Sequence, residues 1–422
     1  MASHIPLIAR LQSFFHIPLD LIKEFEEHVL NVPTLYANII SGKTFDLSDG
    51  STSNEIKLYG CLALIGSYYG FSSVEYLNVY NNIFKYQLSD PHWLGYIVDQ
   101  LQRDHSVKYI PPQSYEDDTY RIKNEFKAIL VGDWGTGNSN ATFLVKEAAK
   151  LSPDYFIHLG DVYYTGTVDE QNLNYVTPLQ KYLPHTQIFS VPGNHDYYSG
   201  SQGYQWACSQ FGQKHSYFIL ENDHIQIHGI DAAMKNIDPL NTEEASHLNA
   251  DEVRWHLEHI KDTNKHVIMC EHFPLFSYNS TISGDCLDLD QYAALAPCID
   301  KVTAWFWGHQ HQFQLYKPYT FPNGEVLQKA RLIGAGSFNT DSNLDLLYTQ
   351  NKYSGKYPVP ELVEGDEWHT QYNGETISNS FGVLEGKMVD GKYVLSMTYY
   401  QIPTPDVGVY ETAVVCYQEI LN

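Results

Sequence analysis

Apolar and polar positions change their rhythm near residue 120. Before it the spacing is helical: within 19–30 the apolar residues Leu21, Ile22, Phe25, Val29 and Leu30 share one face, and 56–69 and 74–84 are spaced alike. The run Pro111-Pro112-Gln113-Ser114-Tyr115-Glu116-Asp117-Asp118 joins paired prolines to a charge cluster and reads as a linker. Beyond it, short apolar runs at 126–131, 155–159, 187–191, 267–270 and 303–307 alternate with polar or helical segments, which predicts strands in an α/β arrangement. Asn249 followed by Glu252 has the form of a capping box, opening a helix to about Lys261 with Val253, Leu257 and Ile260 on one side. Glycine-punctuated strands near 331–333, 381–384 and 393–400 close the chain. The expected organisation is a helical N-terminal domain over 1–120 and an α/β domain over 121–422.

Composition narrows the partners more than the fold. The 422 residues are 43% hydrophobic and 18% charged, as in an ordinary globular protein, and the formal charge of −24 excludes a general electrostatic grip on nucleic acid. An anionic substrate then needs a local positive centre, which can act at short range because salt screens the distant surface over roughly 8 Å. No apolar run of about 18 residues suggests a membrane span. The first residues lack the pattern of a signal peptide, and the six scattered cysteines include no CxxC. These features predict a soluble protein, cytoplasmic by default.

The five predicted strands share a property that composition does not explain. They run into Gly132-Asp133-Trp134-Gly135, Gly160-Asp161-Val162-Tyr163-Tyr164, Gly193-Asn194-His195-Asp196, Glu271-His272 and Gly308-His309-Gln310-His311. Each alone is a weak signal, since a Gly-Asp turn or a lone histidine at a strand end is common. Together they place carboxylate, amide and imidazole groups at the ends of strands, where sites in α/β sheets gather.

In their order these motifs resemble the calcineurin-like metallophosphoesterase superfamily: Asp, Gly-Asp, Gly-Asn-His, His, Gly-His-x-His. Glycine at 135, where many members have histidine, together with Tyr164 three residues after Asp161, resembles the purple acid phosphatase branch. The resemblance spans about residues 125–400 and implies a sandwich of two mixed β-sheets flanked by helices. It further implies two metal ions: Fe(III) held by Asp133, Tyr164 and His311, and Zn, Fe(II) or Mn held by Asn194, His272 and His309, with Asp161 bridging. A phenolate suits the trivalent ion; counting two aspartates, the phenolate and a bridging hydroxide leaves about +1 to face a phosphate. His195 is implied to face substrate and to protonate the leaving oxygen, with a metal-activated hydroxide attacking phosphorus.

The implied activity is hydrolysis of phosphate monoesters. A phosphodiesterase on the same metals, or a metal-retaining binding module without turnover, are the alternatives. One departure bears on this choice: 273–286 has no histidine, where many purple acid phosphatases carry a second one shortly after the residue matched by His272. Tyr278 and Tyr197 are the candidate substrate contacts, with Tyr198 and Trp206 beside them. The polar insert 339–376 is a candidate lid, and residues 1–120 a candidate surface for a protein partner.

Overall fold

The computed structural model describes residues 118–234, 246–277, 287–337, 360–363, 378–403 and 412–422. The expected N-terminal helices and linker up to residue 117, Tyr278, and all of the 339–376 insert except 360–363 lie outside the described residues. The chain divides into two compact units, Met1–Val98 and Asp99–Asn422, and the described residues belong to the second.

In chain order the strands are β1 (Thr119–Arg121), β2 (Phe126–Val131), β3 (Tyr155–His158), β4 (Gln187–Ser190), β5 (Phe218–Glu221), β6 (Ile225–Gly229), β7 (His266–Cys270), β8 (Val302–Trp307), β9 (Phe313–Tyr316), β10 (Tyr319–Thr320), β11 (Val326–Leu327), β12 (Ala330–Ile333), β13 (Pro360–Val363), β14 (Ser378–Val389), β15 (Lys392–Pro403) and β16 (Val414–Ile420). An eight-stranded mixed sheet has the order β1-β5-β6-β7-β8-β12-β9-β13, and a six-stranded one the order β16-β15-β14-β2-β3-β4. In the first, β6, β7, β8 and β12 run parallel; in the second, β2, β3 and β4 do, with β14 antiparallel to β2. This is the mixed α/β architecture, two large mixed sheets flanked by helices, that the sequence predicts.

Burial explains why the strands read as unbroken apolar runs. Leu130, Ile157, Phe189, Ile227, Ile268 and Phe306 meet in one core, drawn from both sheets. Their neighbours point the other way: Ile129 and Phe156 pack with Leu144, Val145 and Leu179 of α1 (Ser139–Lys150) and α2 (Thr177–Tyr182), while Val267, Met269 and Trp305 pack with Ile260 of α3 (Ala250–Lys261). A strand covered on both faces needs apolar residues at every position, so alternation disappears.

Asn249 caps α3 as expected, its side chain accepting from the Asp251 and Glu252 N–H groups. The expected reciprocal bond does differ: Glu252 accepts from the Asp231 N–H at 2.8 Å, because the helix end is buried against the loop after β6 and the carboxylate satisfies that orphan donor. Among the described residues no helix is long and apolar enough to cross a membrane.

Candidate metal centre

The five ligand-rich turns follow β2, β3, β4, β7 and β8, so the centre collects the carboxyl ends of strands from both sheets. Backbone bonds tie these ends together: Gly132 N–H to Ile333 C=O at 2.8 Å, Asp133 N–H to Gly160 C=O at 2.9 Å, and Gly308 N–H to His272 C=O at 3.0 Å. Glycine is required where side chains would otherwise collide. A Cβ on Gly193 would lie 2.1 Å from Asp161 Oδ1, and Gly160, at φ +98°, would place one 2.5 Å from His272 Nδ1. Asp133, Asp161 and His309 themselves adopt positive φ of 56°, 75° and 70°. Each such residue costs roughly 1–2 kcal/mol relative to ordinary backbone, and the strain falls on three residues of these turns.

One half of the centre is built on Asn194, His272 and His309. The His272 Nδ1–H donates to Leu159 C=O at 2.8 Å, which leaves Nε2 as the lone-pair nitrogen, 3.1 Å from Asn194 Oδ1 and 3.4 Å from Asp161 Oδ1. His309 Nδ1 lies 3.1 Å from the same amide oxygen and 3.2 Å from His272 Nε2. Two ligand atoms each about 2.1 Å from one ion stand roughly 3.0–3.4 Å apart, so this donor set fits a borderline divalent ion. Atoms of Asp161, His272 and His309 all lie within 4.8 Å of one another.

The other half is richer in oxygen. Asp133 Oδ1 is 3.5 Å from His311 Nε2, and a phenol stands between them, 3.0 Å from each and 3.1 Å from Asp161 Oδ2. That phenol belongs to Tyr163. The residue chosen from the motif, Tyr164, contributes backbone here: its C=O accepts from His195 Nδ1 at 2.7 Å and its N–H donates to Glu170 at 2.6 Å. Counting three positions from Asp161 picks Tyr164, whereas the hydroxyl found among Asp133, Asp161 and His311 is that of Tyr163; the loop is irregular, and residue spacing fixes a side chain's direction only in regular structure. Two carboxylates, a phenol and an imidazole are a hard donor set.

Asp161 joins the halves, with Oδ1 toward His272 and Oδ2 toward Tyr163. Its burial would raise the pKa, yet the imidazoles of His272, His195 and His309 hold it well below the usual carboxylate range. Burial, reinforced by the carboxylates of Asp133 and Asp161, raises the Tyr163 phenol. Beneath them Asp196 accepts from the Asp161 and Gly193 N–H groups and from Gln171, and burial next to Asp161 pushes it up to about 7.

His195 is half-buried. Its backbone N–H donates to Asp161 Oδ1 at 3.0 Å, and with Nδ1–H on Tyr164 C=O its Nε2 is turned to Asp161 Oδ2, 3.8 Å away. Burial lowers its pKa despite the nearby carboxylate. Tyr198 packs on its ring at 4.8 Å, and the Tyr198 hydroxyl accepts from Asn194 at 2.6 Å. Tyr197, expected at the substrate, is instead a core residue. It is 2% exposed, packs with Tyr204 and Phe273, and donates its hydroxyl to Asp231 at 2.7 Å. Its neighbour Tyr198 is the one that packs against His195. Trp206 is likewise partly buried among apolar residues.

All of these groups fall within one stretch of sequence, 126–313, which matches the family model of the calcineurin-like phosphoesterases. Over that stretch the chain is similar to the calcineurin-like phosphoesterases. The match begins at the first residue of β2 and takes in every ligand-rich turn. No curated protein matches the chain significantly. Among solved structures it is similar to GAP50, the anchor in the inner membrane complex of Plasmodium (13% identity, 71% of this chain and 89% of that one, TM-score 0.42). It is similar also to the purple acid phosphatase PPD1 from yellow lupin seeds (11% identity, 72% of this chain and 55% of that one, TM-score 0.42). A dimetal phosphatase from Danio rerio shares 10% identity over 69% of this chain and 98% of its own, with a TM-score of 0.41.

Proposed function

We propose that this phosphoesterase domain hydrolyses phosphate monoesters at a pair of metal ions. The observation that carries the reading is the two-sided Asp161 carboxylate, with an amide-imidazole set on one oxygen and a phenol-carboxylate-imidazole set near the other. Fe(III) is assigned to Asp133, Asp161, Tyr163 and His311; Zn, Fe(II) or Mn to Asp161, Asn194, His272 and His309. When bound, such a pair lowers the pKa of a water molecule and offsets the charge of a phosphate.

The chain's own residues do the rest. Asp161 sets the spacing between the two sets. His272 is locked into one tautomer by Leu159, so its basic nitrogen is presented without rearrangement. His195, with Nδ1 committed to Tyr164, has Nε2 as the atom that holds or gives a proton at the leaving oxygen.

A phosphodiesterase is the second reading. It is favoured by the segment after His272, where Phe273, buried, packs on the His309 ring at 4.5 Å and 273–286 has no second histidine. Turnover of mono-aryl and bis-aryl phosphates by the metal-loaded protein separates the two. The monoester reading expects a preference for the monoester of at least about tenfold in kcat/KM, a gap of roughly 1.4 kcal/mol in barrier. Preference for the diester transfers the assignment, and metal binding without turnover on either leaves a binding module.

A further inference from the structure

The Tyr163 phenol and the carbonyl that accepts from His195 belong to adjacent residues, and one buried carboxylate grips the backbone that follows them. Glu170 Oε1 accepts from the Tyr164 N–H at 2.6 Å. Its Oε2 accepts from the Thr165 N–H and hydroxyl, both at 3.3 Å, and from the Thr167 N–H and hydroxyl at 3.0 and 2.9 Å. The Tyr163 C=O is held in turn by Asn174 Nδ2 at 2.9 Å, and the Thr165 C=O by the Ser199 N–H at 3.0 Å.

Part of this is a capping box for the short helix Val168–Glu170, with Thr167 as its N-cap. A capping box needs only one carboxylate oxygen. The second reaches Tyr164, three residues before the cap, which no helix requires. A glutamine could not replace it: one of its two terminal atoms is itself a donor and would face either the Tyr164 N–H or the Thr167 N–H. Only a carboxylate of this length accepts on both sides.

We propose that Glu170 is a positioning residue for the metal centre: gripping 164–167 on both oxygens, it sets the Tyr163 phenol against Asp133 and Asp161 and the Tyr164 carbonyl against His195. The inference rests on the reading of Tyr163 as a metal ligand. Outer groups that orient ligands typically change metal affinity or activity about 10–100-fold when removed.

The test loads the full chain with Fe(III) and Zn(II), follows iron and zinc retained against increasing citrate, and compares Glu170→Gln with Tyr163→Phe and Glu147→Gln. Glu147 is a second buried carboxylate, bonded to Lys150 and to the Ala413 N–H, and serves as the control for stability alone. The expected result is that Tyr163→Phe releases iron most readily and Glu170→Gln at citrate about tenfold lower than wild type. Glu147→Gln should hold iron as wild type does, even at the same loss of melting temperature. If Tyr163→Phe retains iron as wild type does, the ligand reading itself fails. If Tyr163→Phe loses iron while Glu170→Gln stays within twofold of wild type, or both carboxylate variants lose it in step with melting, Glu170 has no positioning role. Thr167→Val, which keeps the size of the side chain but removes the hydroxyl that donates to the Glu170 carboxylate and accepts from the Glu170 N–H, should shift iron release the same way by a smaller factor. No shift would count against the proposal.

Discussion

Among the described residues, two gatherings of histidine stand out, and they differ in what the imidazoles face. At the carboxyl ends of β3, β4, β7 and β8, His195, His272, His309 and His311 surround Asp161 and Asp133. Against the far side of the eight-stranded sheet, His228 of β6 faces His256 of α3 with Nδ1 atoms 2.9 Å apart, and His259 is one turn further along. That second group is buried just as deeply. Burial, then the neighbouring imidazoles, hold His228 well below its ordinary pKa, and burial brings His256 down to about 3. The nearest carboxylate oxygen, on Glu252, is 3.6 Å from His256 Nε2 and is engaged by the Asp231 N–H. Among the described residues, the cluster of acid and imidazole atoms close enough to share an ion is Asp161, His272 and His309. Imidazoles become a site when a shared carboxylate and second-nitrogen acceptors aim their lone pairs at one point. Burial alone makes them neutral core residues.

The largest expected effect breaks the first group. His272→Ala should lower phosphoester turnover by more than about a hundredfold, since removing a ligand exceeds the loss of an outer partner. His256→Gln should leave kcat/KM within about threefold, a barrier change under 1 kcal/mol. Comparable losses in the two variants would erase the distinction.

The next concerns pH. His158, fully buried among Trp134 and Tyr175, is brought down to about 3 by burial and has no hydrogen-bond partner on either nitrogen among the described residues. Its folded pKa is below the unfolded value of about 6.5, so the unfolded chain takes up the proton first as pH falls. Stability is therefore full above about pH 6.5 and is lost as pH falls from there toward about 3, at up to roughly 1.4 kcal/mol per pH unit for each such imidazole. Denaturant titrations from pH 7 to 5 should show this slope reduced by one proton in His158→Phe. An unchanged slope would mean that the imidazole is charged in the folded chain.

The smallest effect concerns Tyr197. Tyr197→Phe, which leaves Asp231 without that donor, should cost about 1–3 kcal/mol of stability and leave KM unchanged. A raised KM would restore the substrate contact that the motif suggested.

These contrasts also mark how far the sequence is legible. Strand ends carrying Gly-Asp, Gly-Asn-His and Gly-His-x-His are visible because glycine is needed where Asp161 and His272 crowd the backbone, and crowding leaves a trace in residue type. The strands of both sheets are visible because double-sided burial demands apolar residues throughout. The choices between Tyr163 and Tyr164, and between Tyr197 and Tyr198, are not visible: identical residue types sit side by side in irregular backbone, and packing partners remote in sequence decide which one turns inward. Glu170 was missed for a related reason. A Thr-x-x-Glu pattern announces a capping box, but nothing in it announces the second oxygen on Tyr164.

The central claim is that one tyrosine hydroxyl completes the oxygen-rich half of a two-metal centre. Metal content and the visible absorption of Tyr163→Phe and Tyr164→Phe, each loaded with iron and zinc, test it most directly. The account predicts two metals per wild-type chain and a broad violet band that Tyr163→Phe abolishes and Tyr164→Phe retains. A band lost in Tyr164→Phe and kept in Tyr163→Phe, or a colourless wild-type protein holding two divalent ions, would contradict it.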